Sequence, residues 1–320
     1  MTARLRKLVQ SNEAAVSAIL ILLVVITSIV NPRFMRIDNI LDIFRVVSYN
    51  LLIAAPLTCL LICGEMDLSF GAVVSLGGIA CGWAIHAGLH PLLATLFALI
   101  VGLAIGAIKA VLLCLGHLPG FITTLGLQYA INGLILVLTG GTPVYGFSDG
   151  FDALGQSGPL PKVYWSIIIA LAVAAVFGFT LRKTRLGRSF YAVGGNRETA
   201  RLAGIDIVRA SAIAHLLVSV LAAFVGVVKA ARFDSAQIAA GTGTELLIMC
   251  AVVIGGAGMN GGKGTIVGSL LGCMLMAVID NALILMRISS YYTNLIFGTI
   301  LILALALDVY RQKQASHMKA

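Results

Sequence analysis

Charge is scarce in this chain, and that scarcity decides its solvent. Charged residues make up 11% of its 320 positions, against roughly 25% in soluble domains. A chain so poor in charge cannot maintain a water-facing surface, which argues against a soluble globular module. Organised cysteines are also lacking. Cys59, Cys63, Cys81, Cys114, Cys250 and Cys273 are scattered through apolar runs with no CxxC pair and no Cys/His cluster. Neither a disulfide framework nor a metal site is indicated, and His215 stands alone. No nucleophile elbow, HExxH zinc motif or dinucleotide fingerprint lies in a suitable context. Nothing marks an enzyme, and no cofactor is expected on this chain.

One stretch imitates a nucleotide site. Gly255 to Thr265 reads GGAGMNGGKGT. A phosphate-binding loop needs G-x-x-x-x-G-K-[ST]. Here Ala257 occupies the first glycine position, and Gly264 stands where the hydroxyl should follow Lys263. Two fixed positions fail. The stretch reads better as a tight, non-helical bend between spans.

What the chain does have is long apolar runs: it is 59% hydrophobic, with a mean hydropathy of +1.02. The runs are continuous rather than alternating, so membrane-spanning helices fit and a β-barrel does not. The expected fold is all-α and polytopic, one membrane domain over 1–320 with about ten spans. These are near 14–30, 41–62, 68–87, 91–114, 121–139, 163–181, 208–229, 245–258, 264–285 and 291–309. The eighth is short and ends in glycine, as a broken span would. The first is read as uncleaved, because no small-x-small site follows Asn31-Pro32-Arg33.

Basic residues set the expected orientation. With the N-terminus inside, 15 of the 22 Lys and Arg, Lys109 among them, fall on the cytoplasmic side and seven outside. That predicts N-in, C-in. The net charge of +9 then reflects basic cytoplasmic loops rather than nucleic-acid binding. The segment 140–162, rich in Gly and Pro, is an outside loop.

Three groups of residues carry candidate chemistry. The cytoplasmic loop 182–207 opens on a basic run, Arg182 to Arg188, suited to lipid headgroups. Asn196 then caps a short helix that Gly204 ends. So short a helix is unstable unless it docks. It presents Arg197, Glu198, Thr199 and Arg201 beside apolar Ala200, Leu202 and Ile205, a mixed face for a cytosolic protein. Second, Asp67 or Ser69 can cap the third span, and for Glu65 and Asp67 a junction role outweighs a proton relay. Third, Gln128, Asn132, Asn281 and Asn294 lie in apolar runs, where they either meet a passing solute or bond between helices. Asp280 is the best placed acid for ion coupling. Gly102 and Gly106, and the ladder Gly264, Gly268 and Gly272, mark close helix packing.

Five stretches together resemble the permease subunits of bacterial ABC importers for ribose, xylose and related sugars. They are GEMDLSFG at 64–71, PGFITTLGLQYAINGLILVLTGGTPV at 119–144, GRSFYAVGGNRETARLAGI at 187–205, CAVVIGGAGMNGGKGTIVGSLLG at 250–272 and ISSYYTNLIFGTILILALALD at 288–308. They occur in order and cover nearly the whole chain. Glu65 and Met66 replace the family's usual Gly and Ile, and Asn260 replaces a Ser. The resemblance implies a multi-pass protein of the bacterial inner membrane, paired with a second permease. It also implies a cytoplasmic ATPase subunit that hydrolyses the ATP and a periplasmic solute-binding protein. The loop around Asn196 to Ile205 would then be the coupling element. From the residues themselves, apart from the resemblance, the bend at Gly261 and Gly262 is expected to form part of an inner gate, and Gln128, Asn132, Asn281 and Asn294 are the candidates for the translocation pathway. The competing reading is an ion-coupled secondary transporter of a small polar solute.

Overall fold

The computed structural model describes residues 12–147, 150–159 and 163–289, with 292, 295–300, 302, 303 and 306 beyond them. Twelve α-helices dominate the described residues: α1 (Asn12–Val30), α2 (Ile37–Ile62), α3 (Phe70–His86), α4 (Pro91–Ala110), α5 (Gly120–Thr139), α6 (Ala153–Gln156), α7 (Trp165–Lys183), α8 (Arg185–Gly195), α9 (Arg197–Leu202), α10 (Ile207–Phe233), α11 (Thr244–Ile254) and α12 (Ile266–Leu285). Seven are long and apolar enough to span, counting α4 with the π-turn that extends it to Leu115. Shorter apolar α3 and α11 make nine of the ten expected spans; the tenth, 291–309, falls largely outside the described residues. The chain is an all-α, multi-pass membrane protein.

The layers follow from which helices tolerate lipid. α1, α4, α5 and α7 turn large apolar side chains outward, such as Leu22, Leu92, Val137 and Phe179. Lipid accepts these, as water would not. α2 and α3 are buried almost throughout, with α10 and α11 against them. Small residues permit this packing. A Cβ at Gly102 or Gly106 would press on α10, and one at Gly268 or Gly272 would collide with the backbone of α11. The Gly102–Gly106 pairing is therefore present, and of the expected ladder Gly268 and Gly272 pack as expected, whereas Gly264, at φ +154°, precedes α12 and faces Ile62.

α11 has 11 residues, about 16 Å of helix, too short for a hydrocarbon core of ~30 Å. Two non-helical segments, 63–69 before α3 and 237–243 before α11, turn part of their backbone into the bundle, at Asp67 to Ser69 and at Gly241. Backbone groups at that depth need protein partners. Thr124 Oγ1 accepts from Leu68 N–H at 3.2 Å, Ser75 Oγ from Gly241 N–H at 3.1 Å, and Lys229 Nζ donates to Ala240 C=O at 2.7 Å. The second break touches the first turn of α3, where Gly241 meets Gly71.

The ends of the bundle differ. One carries α8 and α9 with the bend 258–265. The other carries strands β1 (Val144–Tyr145) and β2 (Ser235–Ala236), antiparallel with Val144 opposite Ala236. This small ribbon ties the loop after α5 to the end of α10.

Candidate functional site

At the basic end, the local chemistry of the loop is as its sequence suggests. Thr184 caps α8 by accepting from Gly187 N–H at 3.1 Å. Asn196 Oδ1 accepts from Thr199 N–H at 2.9 Å and opens α9. Gly204, at φ +76°, lets the Ile205 N–H return to the Ala200 C=O and close the helix. Asp206 immediately caps α10 through Arg209 N–H at 2.9 Å. The six-residue α9 therefore feeds straight into the central helix α10. Its exposed face is Arg197, Glu198, Thr199, Arg201 and Leu202, and Leu202 is 82% exposed. Ala200 points inward and is buried, so it anchors the helix and does not belong to the outer face.

Arg197 reaches back into the membrane domain. Its guanidinium lies 2.5 Å from Glu65 Oε1, where Ser211 Oγ also donates at 3.4 Å. Glu65 thus caps no helix; it ties α9 to the first residues of the 63–69 break. The bend of 258–265 arrives at the same place. Gly262 N–H donates to Ile62 C=O at 2.8 Å, and Gly261 and Gly262 take φ of +85° and +74°. Gly194, at the end of α8, lies so close to Ile62 that a Cβ would collide with its carbonyl. Tyr191 Oη donates to Gly264 C=O at 2.7 Å, and burial keeps that phenol above its ordinary pKa. The coupling loop, the glycine bend and the first break are one contiguous unit.

Deeper in, Asp67 differs from its expected capping role. Its Oδ1 does accept from the Ser69 N–H, but Ser69 donates its hydroxyl to the same oxygen, both at 2.7 Å, and caps nothing itself. The other oxygen, Oδ2, pairs with Lys109 Nζ at 2.7 Å, with both side chains fully buried. Lys109 is therefore not a cytoplasmic flank residue, as the orientation count assumed. It sits inside the bundle on α4.

The amide candidates separate. Gln128 Nε2 on α5 donates to Glu245 Oε1 at 2.8 Å. Asn132 is half-buried one turn further along α5. Asn281 on α12 instead exchanges two hydrogen bonds with Asn39 on α2, at 3.0 and 2.8 Å, an interhelical clasp. Asn294 lies outside the described residues. Glu245 escaped sequence reading, although an acid opening an apolar run was a usable signal. It begins the half-helix α11, is 8% exposed, and its Oε2 is buried with no partner among the described residues.

The family model for the branched-chain amino acid transport system / permease component matches residues 39–305. The ribose import permease protein of Escherichia coli (strain K12) is 36% identical over 92% of both chains, and that of Bacillus subtilis (strain 168) is 36% identical with the same coverage. The D-allose transport system permease protein of Escherichia coli (strain K12) is 34% identical over 91% of this chain and 89% of its own. The L-arabinose ABC transporter permease protein of Azospirillum brasilense is 32% identical over 96% and 91%. No solved structure matches the chain. With the fold and the match in agreement over most of its length, the chain belongs to this family of transport-system permease components.

Proposed function

We propose that this chain is the membrane subunit of an ABC importer that carries a monosaccharide or closely similar solute across the bacterial inner membrane. A separate ATPase subunit supplies the energy, a periplasmic binding protein delivers the solute, and a second permease completes the pathway. The family match and the sugar-transporting relatives support the solute class. The observation that carries the mechanism is α9: a capped helix, exposed at Arg201 and Leu202, tied by Arg197 to Glu65.

The orientation N-in, C-in gains support once buried cations leave the count. Lys109 and Arg45 are buried in the bundle. Without them, 14 Lys and Arg flank the inner side and six the outer. α9 then faces the cytosol and the β1–β2 ribbon the periplasm. A push from the ATPase on α9 reaches α10 directly, the break 63–69 through Arg197–Glu65, and the bend 258–265 through Gly194. Rocking of these elements would open the pathway inward.

Uptake by the complete system in proteoliposomes should require the ATPase and survive collapse of H⁺ and Na⁺ gradients. Uptake that persists without the ATPase but stops with a gradient would instead establish the ion-coupled reading. Charge reversal at Arg201 (Arg201→Glu) should leave insertion intact and uncouple hydrolysis from uptake; normal coupling would remove α9 as the docking element.

A second expectation separates stability from coupling. The Arg197–Glu65 pair is half open to water, so Glu65→Gln should cost at most about 1 kcal/mol. Thermal unfolding should barely change, while substrate-stimulated hydrolysis and uptake lose their fixed ratio. A preserved ratio argues that the pair is only a surface contact.

A further inference from the structure

Away from α9 and from the Gln128–Glu245 pair, a cavity of about 290 Å³ opens between α2, α3, α10, α11 and α12, below β2. Its mouth lies at exposed Phe233 and Gln237, beside the ribbon. Its walls are mostly apolar, with a few charged and polar side chains set among them, the make-up of a small-molecule site. Tyr49 is 4% exposed, and its hydroxyl has no partner among the described residues. Lys229 places its ammonium there with Ala240 C=O as acceptor. Arg232 lies 5.8 Å from the Tyr49 ring centroid and 4.9 Å from that of Phe233. Asn50 and Asp280 complete the lining. Among the described residues, nothing donates to the Asp280 carboxylate.

Charged and polar groups inside a membrane protein are costly, and they mark places where a polar ligand or water goes. The combination here is specific. A carboxylate accepts from hydroxyls; an ammonium, a guanidinium, an amide and a phenol donate to them; aromatic rings give an apolar face. Each hydroxyl of a sugar both donates and accepts, and its ring carries apolar C–H groups. A pocket built only for an anion has no use for Asp280, and one built only for a cation has no use for Lys229 and Arg232. The volume accommodates one ring-sized solute.

We propose that this cavity is a monosaccharide-binding subsite within a single permease protomer, a holding point beneath the face on which the solute is delivered. The proposal rests on the importer reading and adds a site and a set of specificity-determining residues to it. Asp280 and the Tyr49 hydroxyl take the solute's hydroxyl groups, and Lys229 and Arg232 orient it from the other side.

The test uses the permease–ATPase complex in lipid nanodiscs without binding protein, equilibrated with radiolabelled D-ribose and then with competing pentoses, hexoses and sugar acids. Saturable retention is expected, and Tyr49→Phe and Asp280→Asn should each weaken it about tenfold, the loss of one good hydrogen bond. Both variants preserve side-chain shape, and unchanged elution and melting of the complexes confirm folding. In the same preparations, uptake by the complete system is measured with binding protein added. Normal wild-type uptake of a monosaccharide without retention, or retention indifferent to both substitutions, overturns the subsite and leaves the importer reading standing. Competition by sugar acids alone also overturns it, because it makes the cavity an anion site. Absence of uptake for every monosaccharide overturns the importer reading itself.

Discussion

Asp67→Asn is expected to destabilise the folded protein by about 3–5 kcal/mol, the cost of leaving one member of a buried ion pair without its partner. The substituted amide could still accept from the Ser69 N–H through its carbonyl oxygen, so the turn leading into α3 would keep its local bond. What disappears is the charge 2.7 Å from Lys109 Nζ, in a site where both side chains are fully buried. The ammonium would then stand alone among helices. Lys109→Met should cost less than Asp67→Asn, because the stranded carboxylate retains two hydrogen bonds from Ser69. The double variant Asp67→Asn, Lys109→Met should recover much of the lost stability, because no uncompensated charge remains. Melting of the purified protein in detergent, followed by its monodisperse fraction, reads all three. A single variant as stable as the wild type, or a double variant no better than Asp67→Asn, would show that the pair does not hold the 63–69 break in place.

The ion pair also shows what the sequence could and could not reveal. Spans were legible because apolar length alone determines them, and even the half-helix of α11 betrayed itself by its shortness and its terminal glycine. The Asn196 cap was legible because its partner, Thr199, is three residues away. Lys109 was not. Its carboxylate lies 42 residues earlier, and a lysine near the end of an apolar run reads as a flank residue. The same distance problem affects Asn281, whose partner Asn39 is 242 residues away; with no sight of that clasp, an amide in an apolar run reads equally well as a solute contact. Glu245 was hidden differently. An acid in the first turn of a helix is ordinary, and only the packed bundle shows that this side chain is buried, with one carboxylate oxygen unpartnered among the described residues. The glycine bend was legible as a bend but not as the neighbour of Ile62 and Gly194, because nothing in a local pattern says which distant backbone it touches.

The two breaks lead to the second large effect. Gly241→Ala should disrupt the protein as much as the loss of the ion pair, although it adds a single methyl group. A Cβ at Gly241 would run into the Gly71 carbonyl oxygen and lie 2.9 Å from the Val74 side chain. Its neighbour offers no relief, because a Cβ at Gly71 would in turn lie 2.7 Å from the Gly241 carbonyl oxygen and collide with Glu245 Oε2. Backbone meets backbone here, so no rotamer change absorbs the methyl; α3 or the 237–243 segment must move. Overpacking of this kind costs about 3 kcal/mol, and movement would also stretch the 3.1 Å bond from Gly241 N–H to Ser75 Oγ. Gly178→Ala provides the contrast. It lies mid-helix in α7, and a Cβ there meets nothing within 4 Å, so helix propensity alone should make it neutral or stabilising by up to about 1 kcal/mol. Melting in detergent compares the two substitutions directly. Because the breaks are where α3 and α11 begin, Gly241→Ala should also depress uptake beyond what its loss of folded protein explains. If both variants melt with the wild type and transport equally, the contact between the 237–243 break and the first turn of α3 is slack and does not fix where α3 and α11 begin.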